Sequence, residues 1–130
     1  MAIKYSNPST MPPPHGYSQV VEYEGAGKIV FISGQIAADI SGNIIATRSL
    51  EEQVQQTFTN IKNGIEAAGG RIEHIVKLNN YLKDISQIGI LRKVRDMYVN
   101  TQNPPASTTI QTVFDDENIL VEIDATAIIP

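Results

Sequence analysis

A helical repeat of apolar residues between Ser49 and Ala68 is the strongest structural signal in this sequence of 130 residues. The apolar side chains recur at spacings of three and four residues, which places them along one face of an α-helix. They are Leu50, Val54, Phe58, Ile61, Ile65 and Ala68. Ser49 followed by Glu52 fits a capping box at the start, and Gly69-Gly70 supplies a stop. The chain therefore contains one long helix with a single face to bury.

Segments rich in β-branched residues surround this helix and predict a sheet. Two such runs flank residues 24–27, and we expect them to form a hairpin whose second run, residues 29–32, is covered on both faces. Further on, residues 71–82 predict a strand, residues 85–98 a second helix and residues 107–114 another strand. Residues 7–16 contain four of the seven prolines and predict an extended lead-in.

The last segment, residues 119–129, alternates between two faces in the manner of a β-strand. One face is apolar, whereas Glu122 and Asp124 lie together on the other. A carboxylate within a β-branched strand must be solvated, paired, or held where its pKa shifts. From the residues alone, solvation is favoured over function, because the last strand can be the edge of a sheet.

The order of these elements predicts an α+β architecture, a mixed sheet with both helices packed on one face. No helix remains to cover the other face, and an uncovered face would leave an apolar patch in water. A second copy of the same chain is the economical cover. The length fits one domain over residues 1–130.

Composition excludes several classes of function. The net charge of −4 and the pI of about 5.0 disfavour nucleic acid and membrane surfaces as partners. The chain has no cysteine, and no segment has a signal-peptide core or membrane-spanning length, so we expect a cytoplasmic protein. His15 and His74 lie far apart without a carboxylate at ligand spacing, and neither common phosphate-loop pattern occurs. We therefore expect no metal and no nucleotide cofactor.

Four segments, in order along the chain, resemble the Rid/YjgF family of reactive intermediate deaminases, also called endoribonuclease L-PSP. They are Gly16-Tyr17-Ser18-Gln19, Ile32-Ser33-Gly34-Gln35-Ile36, Gln56-Thr57-Phe58-Thr59-Asn60 and Val121-Glu122-Ile123-Asp124-Ala125. The resemblance implies a chorismate-mutase-like fold and a homotrimer that binds a small molecule between neighbouring subunits. It also implies a cleft lined by Tyr17, Ser33, Gly34, Ser107, Thr108 and Glu122, in which Glu122 orients water.

The sequence departs from the family at the residue that binds the substrate carboxylate. In active members an arginine of a proline-x-arginine-serine motif clamps a 2-imino acid, and water then releases ammonia. A guanidinium suits this task because it forms two parallel charge-assisted hydrogen bonds. Here the segment reads Pro105-Ala106-Ser107-Thr108, and Ser107 cannot supply the charge. The family's usual activity on 2-imino acids is therefore in doubt.

Several of these residues also have a structural interpretation. Arg92, on the second helix near the expected cleft, is either a relocated cation or, as we favour, a surface partner of Asp96 one helical turn away. Tyr17 is equally consistent with a packing role, and Gly34 with a close approach of the backbone. Ser107 and Thr108 are also consistent with ordinary strand residues that bind no ligand.

Three functions remain in order of preference. The first is hydrolysis of a small imine or enamine that depends less on a carboxylate than the family's usual substrates do. The second is a non-catalytic trimer that binds a small molecule or a partner. The third is an endoribonuclease-like activity, for which the sequence offers no basic or aromatic footprint.

Overall fold

The computed structural model describes residues 2–130. These residues form six strands and two α-helices, with short 3₁₀ turns at Ile72–His74 and Ile85–Gln87. In chain order the elements are β1 (Ala2–Ser6), β2 (Val20–Glu24), β3 (Lys28–Gln35), α1 (Leu50–Ala67), β4 (Ile75–Leu82), α2 (Ile88–Arg95), β5 (Ala106–Gln111) and β6 (Val121–Ile129).

The main sheet has the order β3-β6-β4-β5 and is mixed, because β4 and β5 are parallel while the other pairs are antiparallel. Helix α1 packs on β3 and β6 and lies beside α2, which connects the two parallel strands. The apolar core joins Phe58 and Ile61 of α1 and Leu91 of α2 to Leu78 and Ile123 of the sheet. The predicted α+β architecture, with both helices on one face of a mixed sheet, is confirmed.

The predicted start and end of the long helix are confirmed. Ser49 is the N-cap, and its hydroxyl accepts a hydrogen bond from the amide of Glu52 over 3.2 Å. This bond satisfies one of the amides that the first helical turn leaves free. At the other end Gly69 adopts φ +92°, a left-handed conformation that glycine allows at little cost. The backbone amide of Gly70 then donates to Ile65 O, which closes the helix.

The predicted hairpin between the second and third strands is wrong. Strand β2 pairs with β1 in a separate two-stranded sheet, whereas β3 pairs with β6. The loop at residues 25–27 is present, but β1 provides the partner for β2, and the sequence analysis missed that strand. The lead-in at residues 7–16 is also less extended than predicted, because the amide of Met11 turns back to Pro8 O over 3.0 Å.

Strand β3 is not covered on both faces. Val30 and Ile32 pack toward the core, whereas Ile29 is 55% exposed and Phe31 is 77% exposed. An apolar run had suggested two buried faces, but within one subunit the helices cover only one. Strand β3 therefore presents apolar side chains on the open face of the sheet, the face opposite the helices.

Four predicted boundaries shift, two of them because local side-chain bonds form turns. The side chain of His74 accepts from the amide of Arg71 over 2.9 Å, so a 3₁₀ turn precedes β4. Asp84 accepts from the amide of Ser86 over 3.0 Å, and a second 3₁₀ turn precedes α2. Helix α2 ends at Arg95 and β5 at Gln111, each three residues before its predicted end.

Strand β6 is central rather than an edge, because β3 and β4 flank it. Its predicted alternation is confirmed: Val121, Ile123, Ala125 and Ala127 are buried, while Glu122, Asp124 and Thr126 are half-buried. Solvation at an edge therefore does not account for Glu122. Within residues 2–130, no helix combines the length and hydropathy needed to cross a membrane.

Candidate functional site

Glu122 lies on the open face of the sheet against the backbone of β3. A Cβ atom placed on Gly34 would come within 2.7 Å of Glu122 Oε2, so the carboxylate occupies the space that a side chain at residue 34 would fill. The pairing of β3 with β6 changes register between Ile32 and Gln35, and this irregularity brings Gly34 to the carboxylate. The glycine is therefore required for the close approach, and Ser33 beside it is exposed.

A second carboxylate on the same face is held by two side chains of β4. Asn79 Nδ2 donates to Asp124 Oδ1 over 2.8 Å, and the hydroxyl of Tyr81 donates to Asp124 Oδ2 over 3.2 Å. The pKa of Tyr81 is raised above its ordinary value, chiefly by the charge of Asp124. Burial, the hydrogen bond to Asp124 and the charge of Glu122 raise it further. Tyr81 is thus a hydroxyl donor beside two carboxylates.

Thr108 lies on this open face as well. Its hydroxyl accepts a hydrogen bond from Lys77 Nζ over 3.0 Å, and Lys77 shares its face of β4 with Asn79 and Tyr81. Of the predicted site residues, Gly34, Thr108 and Glu122 therefore lie on the open face. A lysine and a tyrosine that were not predicted lie among them.

Ser107 lies on the opposite, helix-covered face. Asn80 Nδ2 donates to Ser107 Oγ over 2.9 Å and also to Thr108 O and Thr109 Oγ1. Asn80 is 2% exposed and sits between Leu78 and Leu82, which belong to the core. Within residues 2–130, its Oδ1 is buried without a hydrogen-bond partner. Ser107 is therefore the neighbour of a buried amide rather than a member of the carboxylate face.

Tyr17 belongs to a segment that is fixed to the start of β5. The hydroxyl of Ser18 donates to Pro104 O over 2.6 Å, and its amide donates to Pro105 O over 3.2 Å. Tyr17 is half-buried beside this anchor. Its position directly before Ser18, which contacts Pro104 and Pro105, places it near the strand that carries Ser107.

Arg92 is exposed on α2, and the predicted pair with Asp96 is wrong. Asp96 Oδ1 instead accepts from Arg95 Nε over 3.0 Å. Arg95 is only 7% exposed and was missed. It falls four residues after Leu91, on the apolar stripe of the helix, and a charged residue in that position is the sequence signal that could have identified it.

The predicted site residues thus form two groups in one subunit, one on the open face around Glu122 and one near the start of β5, and Arg92 on α2 belongs to neither. A groove of about 500 Å³ beside α1, lined by Gln55, Thr59 and Tyr98, contains none of them. Within residues 2–130, no three His, Asp or Glu side chains cluster in a manner suited to a metal ion.

The fold and the Glu122–Gly34 contact define an α+β protein of the YjgF type, and comparisons with known proteins agree. The sequence model of the endoribonuclease L-PSP family matches residues 8–129. A 2-iminobutanoate/2-iminopropanoate deaminase of Dermatophagoides farinae is 30% identical over 125 residues, 95% of this chain and 94% of the relative. A RutC family protein of Saccharolobus solfataricus is 35% identical over 117 residues, 89% of this chain and 90% of the relative.

Solved structures give the same result. The crystal structure of a conserved Rid-family protein of unknown function from Yersinia pestis superposes with a TM-score of 0.83 at 27% identity, covering 98% of both chains. This chain belongs to the Rid/YjgF family, that of endoribonuclease L-PSP.

Proposed function

We propose that this protein is a homotrimeric hydrolase that converts a small imine or enamine into the carbonyl compound and ammonia, in a cleft between subunits. The observation that carries the proposal is the Glu122 carboxylate, which rests on Gly34 on the open face. Family membership and the deaminase from Dermatophagoides farinae, a 30% identical relative, support the reaction class.

The cleft is expected to need a second subunit because its parts point away from one another in a single chain. Glu122 pairs with Tyr81 at the far end of β4, whereas Ser107 pairs with Leu78 and faces the helices. A neighbouring copy that packs on the open face would bring its own residues to Glu122. Tyr17, Ser33, Gly34, Arg92, Ser107 and Thr108 remain the residues that we propose for binding.

The chemistry assigned to Glu122 is general acid–base catalysis. The carboxylate accepts a proton from water as the oxygen adds to the imine carbon, and it passes that proton to the nitrogen to give the carbinolamine. It then accepts the hydroxyl proton of the carbinolamine and passes it to the nitrogen as the carbon–nitrogen bond breaks, so that both protons of the water leave with ammonia. One water is consumed and one ammonia is released, so the step needs no metal or redox cofactor. The hydroxyl of Tyr81 donates its one proton to Asp124, so its oxygen is a hydrogen-bond acceptor for water on the same face.

Ammonia release from freshly generated 2-iminobutanoate tests this proposal. Glu122→Gln should reduce the rate about 100-fold or more, the usual contribution of a positioned acid–base group. Glu66→Gln, an exposed carboxylate on α1, is the matched control and should leave the rate unchanged. Undiminished turnover by a folded Glu122→Gln variant would refute the assignment.

A non-catalytic trimer that binds a small molecule is the second candidate, favoured by the serine at residue 107. It predicts that a ligand raises the melting temperature without ammonia release. Ser107→Arg separates the two candidates, since a restored guanidinium should bring turnover to a cleft that has kept Glu122. The substitution also removes one of the three acceptors of Asn80 Nδ2, a loss of about 1 kcal/mol or less in stability.

A further inference from the structure

A pocket of about 310 Å³ opens beyond the carboxyl ends of β4 and β5. Its apolar lining comes from Val113, Phe114 and Ile119, which belong to the segment between β5 and β6. Ile119 is buried and Phe114 is half-buried, whereas Val113 at the rim is 93% exposed. The pocket therefore presents apolar surface to solvent.

The polar residues around this pocket bind its own backbone. Lys83 Nζ donates to Glu117 O over 2.8 Å, and Asp116 Oδ1 accepts from the amide two residues further along the chain over 2.8 Å. The segment is also joined to β4, because the amide of Thr112 donates to Leu82 O over 2.9 Å. The pocket is thus formed before any ligand arrives, and its apolar lining suits an uncharged, apolar group.

The pocket lies at the end of the sheet that carries the Glu122 carboxylate. Glu122 is the second residue of β6 and is paired with Tyr81 of β4. Lys83, which lines the pocket, follows Tyr81 by two residues, so it lies on the same face about 7 Å further along the chain. A ligand whose reacting carbon lies at Glu122 therefore reaches the pocket with a substituent on a short chain.

We propose that this pocket binds an apolar substituent of the ligand, an aryl or branched alkyl group at the end of a short chain. The inference rests on the proposed function, which it deepens by naming the substrates as imines or enamines whose reacting carbon carries such a group. A cavity of about 150 Å³ with aliphatic and aromatic walls holds a benzene ring, so a pocket of about 310 Å³ has room for one. Val113 and Phe114 are specificity-determining residues, and the catalytic step remains with Glu122.

Binding of 4-phenyl-2-butanone and of 2-butanone, two uncharged ketones that differ by one phenyl group, tests the proposal by NMR titration without any turnover. The wild type should bind the phenyl compound about tenfold or more tightly, because the ring leaves water on binding. Val113→Asp should reduce this preference to about threefold or less, because the ring would take water from a carboxylate at the rim. Ile40→Asp, the matched change at a fully exposed residue of another loop, should keep the preference. A folded Val113→Asp protein with the wild-type preference, or a wild type without one, overturns the proposal.

A second measurement needs no variant and decides the matter if Val113→Asp does not fold. In the unmodified protein, the phenyl protons of 4-phenyl-2-butanone should give nuclear Overhauser effects to the methyl groups of Val113 and Ile119. Effects to other residues alone refute the assignment. In a mixture of labelled and unlabelled chains, contacts from these methyl groups to a second copy would assign the pocket to the assembly and overturn the proposal.

Both readouts are binding, so they separate this inference from the proposed reaction. Contact of the phenyl ring with Val113 and Ile119 without ammonia release would leave the inference standing while the proposed hydrolysis fails. Ammonia release by a protein whose Val113 and Ile119 methyl groups do not contact the ring would do the reverse.

Discussion

Asp124 controls the ionisation of Tyr81 on the open face. The tyrosine hydroxyl lies 3.2 Å from Asp124 Oδ2, and a second negative charge at that distance is unfavourable. The pKa of Tyr81 is therefore raised above the ordinary value of 10.0, chiefly by the charge of Asp124. The hydroxyl stays protonated over a wider pH range and remains a donor to Asp124 at neutral pH.

The substitution Asp124→Asn should bring the pKa of Tyr81 back toward 10, because it removes the largest cause of the shift. Between the ordinary and the raised pKa the folded state binds more protons than the unfolded state, so wild-type stability falls as pH rises through this window. The fall should be smaller in Asp124→Asn. NMR titration of the Tyr81 ring measures the pKa, and equal titration curves in both proteins would contradict the interpretation.

Glu122→Gln is the graded control for this experiment. The charge of Glu122 is the smallest of the causes that raise the pKa of Tyr81, so its removal should shift the titration less than Asp124→Asn does. The opposite order of effects would mean that Glu122, not Asp124, lies nearer the hydroxyl in solution.

At the scale of elements, Gln53 connects α1 to the segment that leads into β6. It is fully buried, and its Nε2 donates to Ile45 O over 3.0 Å and to Asn118 O over 2.8 Å. Its Oε1 accepts from the amide of Leu120 over 2.9 Å. One side chain therefore satisfies three backbone groups in two loops, and it fixes the start of the strand that carries Glu122.

Replacement of Gln53 by leucine should destabilise the protein by about 3 kcal/mol or more, because three buried backbone groups lose their partner. Denaturant unfolding measures the change. Gln55→Leu is the control on the same helix, since the Gln55 side chain is half-buried and, within the described residues, makes no hydrogen bond; it should change stability by about 0.5 kcal/mol or less. Similar losses in both variants would mean that helix propensity, and not the buried network, is responsible.

The sequence was sufficient for the elements whose signals are local. The stripe from Leu50 to Ile65 and the Ser49 cap predicted α1, and alternation predicted the two faces of β6. Pairing was harder, because the runs around Gly25 looked like a hairpin although β1 is the partner of β2. Strand pairing depends on distant residues, and a turn signal does not say which strands it joins.

The residues of the candidate site were likewise predictable from local sequence signals but not where their contacts depend on distant residues. The position of Glu122 on the carboxylate face follows from alternation along β6, and the structure places it there. The Gly34 contact depends on a register change between β3 and β6, and the burial of Arg95 depends on how α2 meets residues 16–18. The Gly34 contact has no signature in the spacing of residues, whereas a charge on the apolar stripe of α2 was the signal for Arg95.

At the scale of the whole molecule, the open face carries apolar side chains that one subunit leaves in water. Phe31 is 77% exposed, Ile29 55% and Ile110 48%, and Glu122 lies on the same face. Burial of apolar surface contributes about 25 cal/mol per Å². A second copy of this chain is the partner that we expect, because closed threefold packing would cover the face in every subunit and complete each cleft.

Phe31→Asp should dissociate the assembly, because a carboxylate at the centre of the contact would lose its hydration on association. Light scattering at micromolar concentration should give the wild type about three times the 14.2 kDa mass of one chain, and the variant a lower mass. Ile40→Asp is the matched control: Ile40 is fully exposed in the loop between β3 and α1, away from the sheet, and the substitution should keep the wild-type mass. A folded wild-type monomer, or an unchanged mass for Phe31→Asp, would refute the trimer and with it a cleft that needs two subunits.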